Sequence, residues 1–463
     1  MTPDIGSAEN EAWLDALPQA FRAYLGGRRL EEVECIVPDF VGMSRGKAMP
    51  SYKFSPEGAI SLPVSIFYQA VNGDDVDMPI ENQWAEADMV VRPDIATACA
   101  VPWAEDPTLQ VIHDCHTRSG APVAYAPRNV LKRVLARYAE RGWRPVVAPE
   151  LEFYLIKPNP NPIDLVEPPV GRSGRIGPAR RPYSMVAVDE YAAVIDTIYD
   201  FAEKQGLPID SLIQEDGAGQ MEINLPHGDA LTLADQVFLF KRTIREAALK
   251  NGIFATFMAK PMRDQPGSAM HLHQSVLESA TGRNLFSDPD GAASPLFLNF
   301  VGGAQLYMMD AMPLVAPYVN SYRRFEAFSG GSAPTNLAWG NDNRATGLRA
   351  PVARPENRRI ENRVIGMDCN PYIAIATSLA TGLLGIENAI TPDAPELGTS
   401  EDGERSLPQS FDVALTRFEE AHELRAMLGD DFCMMFEAIK RQELWAFHRE
   451  ISPWEREHLL LNV

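Results

Sequence analysis

The chain reads as a mixed α and β protein: a β-rich amino-terminal part, a long middle in which strands and helices alternate, and a helical tail. Three observations predict this. Short strand-like runs separated by Gly and acidic turns fill residues 1–124. From there to about 385, apolar runs with strand character alternate with segments whose apolar residues recur at helical spacing, without an internal repeat. Residues 411–427 and 430–449 then read as helices, set off by the acidic loop Thr391–Gln409. A chain of 463 residues has room for two or three domains, or one large barrel with an appended domain. The expected division is 1–124 and 125–463.

Composition removes several function classes. The formal net charge of -21 argues against nucleic acid as a partner and is compatible with cationic substrates. No apolar run reaches the roughly 18 residues needed to span a bilayer. The first residues are acidic and lack a secretory pattern. Five scattered cysteines, odd in number and without CxxC spacing, predict free thiols in a reducing cytoplasm.

In chain order, Glu9–Leu25 has the pattern of an amphipathic helix closed by Gly26-Gly27. Val33–Val37, a Gly42 turn and Arg45–Lys47 read as strand, turn, strand. A helix opens after Pro127, carries Val130, Leu131, Val134, Leu135 and Tyr138 on one stripe, and stops at Gly142. Arg144–Leu155 is an apolar, partly β-branched run interrupted by two carboxylates, so it reads as a buried strand. Residues 157–182, rich in Pro, Gly and Arg, read as a long surface loop. A second helix is expected from Asp189 to Gln205, with Gly206 as its stop.

The buried strand organises the chemistry. Side chains alternate along a strand, so Glu150 and Glu152 share one face. Two carboxylates on a buried face repel each other and need partners. Mg²⁺ or Mn²⁺ would serve, and so would neighbouring arginines. Four other stretches carry polar groups in strand register. After Glu215 and a Gly-rich turn, Gln220, Glu222 and Asn224 share a face, as a metal-facing strand or a polar hairpin. His271, His273 and Ser275 alternate in an HxHxS run, as ligands or as structural histidines. Arg324, Arg344 and Arg349 flank a Ser/Gly-rich stretch, which suits bidentate binding of phosphate or carboxylate, or an inter-subunit ion-pair network. Arg359, Glu361 and Arg363 share a face, as a site or as a solvated edge. Together they supply carboxylates, a histidine and arginines suited to two oxygen-loving cations and a nucleoside triphosphate.

In this order the motifs resemble the glutamine synthetase superfamily over nearly the whole chain: Pro149-Glu-Leu-Glu-Phe153; Glu215 with Gly219-Gln220-x-Glu222; Lys260-Pro261 leading to Gly267-Ser-Ala-Met-His271-x-His273-x-Ser275; Asn320-Ser-Tyr-x-Arg324; Asn343-Arg344 with Arg349; and Arg359-Ile-Glu361-x-Arg363. The resemblance is nearest in type to the γ-glutamylpolyamine synthetase and glutamate–amine ligase branch. It implies an α+β fold: an N-terminal β-grasp domain and a catalytic domain with a curved antiparallel β-sheet flanked by helices. It also implies a homo-oligomer, usually a dodecamer of two stacked hexamers, with active sites between adjacent subunits. By motif, Glu152, Glu215 and Glu222 would hold one Mg²⁺ or Mn²⁺, and Glu150, His271 and Glu361 the other. His273 and Ser275 would lie near ATP, and Arg344, Arg349 and Arg359 would contact its phosphates. Arg324 and Arg363 would hold the γ-carboxylate of L-glutamate, with Gly267 at its amino end. The implied reaction passes through γ-glutamyl phosphate, which an amine then attacks.

Departures from the family pattern bear on the amine. Ammonia-using members carry an acidic flap residue and an Asp in the β-grasp domain. Alignment on Pro334 puts Ser332 at the first position, and Leu62 falls at the second. An apolar, enlarged pocket for an organic amine or polyamine is therefore expected. The alternatives are a glutamine synthetase using ammonia and a catalytically silent ring scaffold. Pro266 stands where an Asn precedes Gly-Ser in ammonia ligases, Glu356 replaces a basic residue that often meets the nucleotide, and residues 390–410 contain no tyrosine for adenylylation.

Overall fold

The structure is a computed structural model and describes residues 12–78, 87–177, 181–325, 333–398 and 405–463. Among the described residues of the first 116, six strands form: β1 (Glu32–Pro38), β2 (Ser44–Pro50), β3 (Ile60–Pro63), β4 (Asp88–Pro93), β5 (Cys99–Ala100) and β6 (Thr108–His116). They form one sheet in the order β2-β1-β6-β4-β3, with β5 on β6. β1 and β6 run parallel, with Cys35 beside Val111, and the other pairs are antiparallel.

Nine further strands build the second sheet: β7 (Trp143–Ile156), β8 (Ser211–Gln214), β9 (Gln220–Asn224), β10 (Gly228–Asp229), β11 (Phe254–Thr256), β12 (Leu272–Glu278), β13 (Trp339–Asn341), β14 (Leu348–Ala350) and β15 (Ile360–Asn362). Their order is β13-β14-β15-β12-β7-β9-β8, with β10 and β11 also on β7. Among the described residues of this sheet only β13–β14 is parallel. The chain is thus α+β, as expected.

β7 is the spine of this sheet. Trp143–Pro149 pairs with β12 and Glu150–Tyr154 pairs with β9. Pro149, which has no N–H to donate, stands where the partner changes. Beyond it the segment before β12 still follows β7, because Glu150 N–H donates to His271 O at 2.9 Å and Glu152 N–H to Ala269 O at 3.2 Å. Leu151, Phe153 and Leu155 are fully buried against helices, which leaves the glutamates on the opposite face. Helices Pro295–Val315 and Pro371–Glu387 pack in close contact on each other: a Cβ on Gly303 would lie 2.4 Å from Gly385 Cα.

Ion pairs join the first sheet to the rest. Arg128, 3 % exposed, donates to Asp235 at 2.9 and 2.8 Å, to Asp114 at 2.5 Å and to Asp94 at 2.7 Å. Arg242 clamps Glu34 and stacks on Trp103.

Several helix boundaries differ from the pattern. The first helix is split by Pro18 into a 3₁₀ turn, Ala12–Ala16, and the helix Gln19–Leu25; residues 9–11 lie outside the described set. The second stripe becomes Met185–Asp189 and Ala192–Gln205, because Tyr191 leaves helical geometry. The stretch 411–427 is two helices, Phe411–Glu419 and His422–Leu428, broken at Ala421 (ψ 61°). All five cysteines are free and buried. Among the described residues no helix is long and apolar enough to cross a membrane.

Candidate active site

The register brings the acidic residues together. Glu152 stands opposite Glu222 on β9, and Glu361 on β15 stands opposite His273 on β12. His271 Nδ1 lies 3.0 Å from Glu150, 3.8 Å from Glu152 and 3.8 Å from Glu361. Two compact groups result, Glu150–His271–Glu361 and Glu152–Glu222–His271, each with ligand atoms within 4.8 Å of one another. His271 thus belongs to both groups. Glu215, on the turn between β8 and β9, is in neither: its carboxylate accepts from Asp216 N–H at 3.3 Å. It remains near enough for its charge to help raise Glu152 and Glu222.

The electrostatics divide the cage. Burial, then the Glu215 charge, pushes Glu152 up to about 8. Burial and the charges of Glu150, Glu152 and Glu215 push Glu222 up to about 9. Burial also opposes ionisation of Glu361, but His271, Arg363 and His273 outweigh it and hold the carboxyl at about 2. Arg349 and Arg363 donate to its two oxygens at 2.7 and 2.6 Å. Glu150 is held well below the usual carboxylate range: burial opposes this, and its hydrogen bonds to His271 and His273 overcome it.

The histidine tautomers follow from the partners. Arg359 Nε–H donates to His273 Nδ1 at 3.3 Å, so His273 donates from Nε2 to Glu150 at 2.9 Å. His271 must donate from Nδ1 to Glu150, because a carboxylate only accepts. Burial first, then Arg363, lowers the His271 pKa and favours neutral imidazole.

Gly267 and Arg324 fit as a pair. A Cβ on Gly267 would lie 2.4 Å from Arg324 Cγ and 2.7 Å from Ala259 O, so any side chain would displace the arginine. Arg324 is 2 % exposed and donates to the carbonyls of Arg363, at 3.4 Å, and Val364. Burial lowers its pKa to about 10, with Glu152 and Asp368 opposing. Gln220 ties this corner to the cage: its amide donates to Gly267 O at 2.9 Å and to Glu152 at 3.3 Å.

His273, Ser275 and Arg359 line a cavity of about 760 Å³ together with Asn284, Arg354 and Glu356; Glu150 lies on its wall. That volume suits a nucleotide-sized ligand. Arg344 stands apart from this cavity wall, 3.5 Å from the Tyr183 hydroxyl. Arg349 is spent on Glu361 and Asp342. Tyr183 holds a left-handed backbone (φ 62°), and nothing in the sequence pattern around it signals this placement.

One expectation about the amine changes here. Leu62 is 3 % exposed and packs into the core shared by the two sheets, because its place on β3 points it inward beside Met89. It does not offer an apolar wall to a pocket. Ser332 lies outside the described residues.

The donor set fits divalent cations. Carboxylates and an imidazole converge within ligand distance, and the charges of Glu152 and Glu222 are left unfavourable without positive charge between them. The profile of the glutamine synthetase catalytic domain matches residues 124–459. The chain is 36 % identical over 440 residues to gamma-glutamylputrescine synthetase of Escherichia coli (strain K12), covering 93 % of this chain and 92 % of that one. It is 33 % identical over 378 residues to glutamate–isopropylamine ligase of a Pseudomonas species, covering 80 % of each. The solved structure of apo GmaS without ligand superposes with a TM-score of 0.79 at 28 % identity, over 96 % of this chain and 99 % of that one. With the motifs in order and the cage they build in place, the chain belongs to the glutamine synthetase family.

Proposed function

We propose that the chain is an ATP-dependent ligase that joins the γ-carboxylate of L-glutamate to an organic amine through γ-glutamyl phosphate. The observation that carries this reading is the buried carboxylate–imidazole cage set between a nucleotide-sized cavity and the buried Arg324–Gly267 corner. The names of the two relatives, a putrescine ligase and an isopropylamine ligase, support an organic acceptor.

Glu152 and Glu222, with Glu215 completing the set, would hold one Mg²⁺ or Mn²⁺, and Glu150, His271 and Glu361 the other. When bound, the cations neutralise the phosphate charge that grows during transfer. ATP would take the cavity beside His273 and Ser275, and Arg359, on its wall, would contact the phosphates. Arg349, held on Glu361, and Arg344, beside Tyr183, would also contact the phosphates. Arg324 and Arg363 orient the γ-carboxylate, whose oxygen attacks the γ-phosphorus as ADP leaves. Gly267 leaves room for the rest of glutamate. The amine nitrogen then attacks the acyl carbon, loses a proton and displaces phosphate. In this reading the enzyme works in the cytoplasm as a ring of copies, in which the N-terminal part of one subunit completes the site of its neighbour.

Mass spectrometry of a reaction with glutamate, ATP, Mg²⁺ and a mixed panel of ammonium and organic amines at equal concentration tests the reading. The expected product is a γ-glutamyl amide of an organic amine, with one phosphate released per amide. Glutamine as the main product would overturn the organic acceptor, and no amide at all would overturn the ligase.

A further inference from the structure

A second cavity, about 600 Å³, lies outside the cage, between the turn at Val41–Met43, Val71, the helix Ala230–Lys250, the strand end Thr256–Met258, Tyr318–Asn320 and the helix Asp430–His448. Its walls are mostly apolar or aromatic, with Phe257, Tyr318, Phe411 and Phe447 the largest. Four charged groups face it: Lys241, Arg245, Asp368 and Glu443.

Three of the four are engaged. Lys241 Nζ donates to the carbonyls of Met367 and Cys369 at 2.8 and 3.0 Å. Glu443 accepts from Lys440 at 2.7 Å and from Val71 N–H at 2.8 Å. Asp368 accepts from the Ser321 hydroxyl at 2.6 Å, and burial pushes its carboxyl up, toward the neutral form. Arg245 differs. Among the described residues it has no ion pair and its guanidinium has no hydrogen-bond acceptor, although it stacks on Phe257 with 4.9 Å to the ring centroid. Its side chain also reaches solvent, so the guanidinium charge is left to water and to the ring of Phe257. An arginine fork without an acceptor, at an apolar cavity large enough for a small molecule, has the chemistry of a carboxylate anchor.

We propose that this cavity is a binding site for an amphipathic carboxylate, an aryl or alkyl chain of about six to ten carbons whose head group pairs with Arg245 and whose tail lies against the aromatic walls. A cationic analogue of the same shape would meet the unpaired charge of Arg245, since burial draws Asp368 toward its neutral form and Glu443 is already paired with Lys440. The site is separate from the catalytic cage, so occupancy does not compete with glutamate. It backs onto catalytic segments: Asn320, on its wall, is clamped to Lys260 by reciprocal hydrogen bonds of 2.9 Å, and Arg324 follows four residues later.

Isothermal titration with 4-phenylbutyrate tests the proposal, with 4-phenylbutylamine as the cationic control. The expected result is one saturable site per chain, about tenfold or more weaker for the amine and for Arg245→Met, and unchanged by saturating glutamate. Arg245 is exposed on a helix face, so Arg245→Met should fold and keep wild-type ligase turnover without the probe. The amine control reads charge selectivity on the wild-type protein and needs no variant. No saturable binding, equal affinity for the amine, equal affinity of Arg245→Met, or displacement by glutamate would each overturn the proposal.

Discussion

Glu152 and Glu222 face each other directly across β7 and β9, 7 % and 6 % exposed, with burial and like charge raising both carboxyls. A fold does not keep such a pair for stability, since each ion repels the other in a place where water cannot screen it. Function and stability should therefore separate at this position. In metal-free buffer Glu222→Gln should melt at the same temperature as wild type or a few degrees higher, while Mn²⁺ stabilises it by less than half as much as wild type. Its phosphate release should fall about a hundredfold or more. Differential scanning calorimetry with and without Mn²⁺ reads the first part. A variant that melts lower without metal and keeps the full Mn²⁺ shift would show that Glu222 is a structural acid.

Arg324 is held by two backbone carbonyls, and no carboxylate lies within 4.0 Å of it among the described residues. A buried arginine in that state is available to an anion. Arg324→Lys loses the planar fork and should lower kcat/KM for glutamate by roughly a hundredfold, about 2.7 kcal/mol at 1.36 kcal/mol per decade. Steady-state kinetics at saturating ATP and amine measure it. A change below threefold would remove Arg324 from the glutamate site.

Arg128 joins Asp94 and Asp114 of the first sheet to Asp235 of the helix Ala230–Lys250, and Tyr372 also donates to Asp235 at 2.7 Å. Arg128→Leu would leave three acids around an uncharged side chain. The expected loss is about 3–5 kcal/mol in urea unfolding, the usual result of removing one partner from a buried ion cluster. A loss under about 1 kcal/mol would mean that the acids rehydrate freely.

His113 on β6 is 1 % exposed, and burial lowers its pKa from 6.5 to about 4, with its bond to Val111 O opposing. The unfolded chain therefore binds a proton that the folded chain refuses between those two values. Stability from this group is complete above about 6.5 and is lost as pH falls toward 4, by up to about 3 kcal/mol at 1.36 kcal/mol per unit. The acid slope of ΔG between pH 6.5 and 4 should flatten in His113→Asn. An unchanged slope would assign it to other groups.

The site was legible in the sequence wherever strand alternation decides side-chain direction. Glu150 with Glu152, His271 with His273, and Glu361 with Arg363 keep the period of two in the structure, and each meets its expected neighbours. What alternation does not specify was not legible. The sharing of His271 by both groups depends on how the segment before β12 follows β7 past Pro149. Leu62 illustrates the converse, since motif alignment gave its position and the sheet's packing gave its direction, inward. The break at Pro18 is proline's own local effect, and the break at Ala421 interrupts an apolar stripe that continues through it. Tyr183 reaches Arg344 from a loop whose backbone conformation no local pattern encodes.

The central claim is that this cage transfers glutamate's γ-acyl group to an organic amine. The most direct test is kcat/KM for ammonium, ethylamine, isopropylamine, putrescine and spermidine at one pH, with ATP, Mg²⁺ and glutamate saturating. The account predicts that at least one organic amine exceeds ammonium by about tenfold or more, because each buried methylene contributes about 0.8 kcal/mol that ammonium cannot. Ammonium used at least as efficiently as every organic amine in the panel would contradict it.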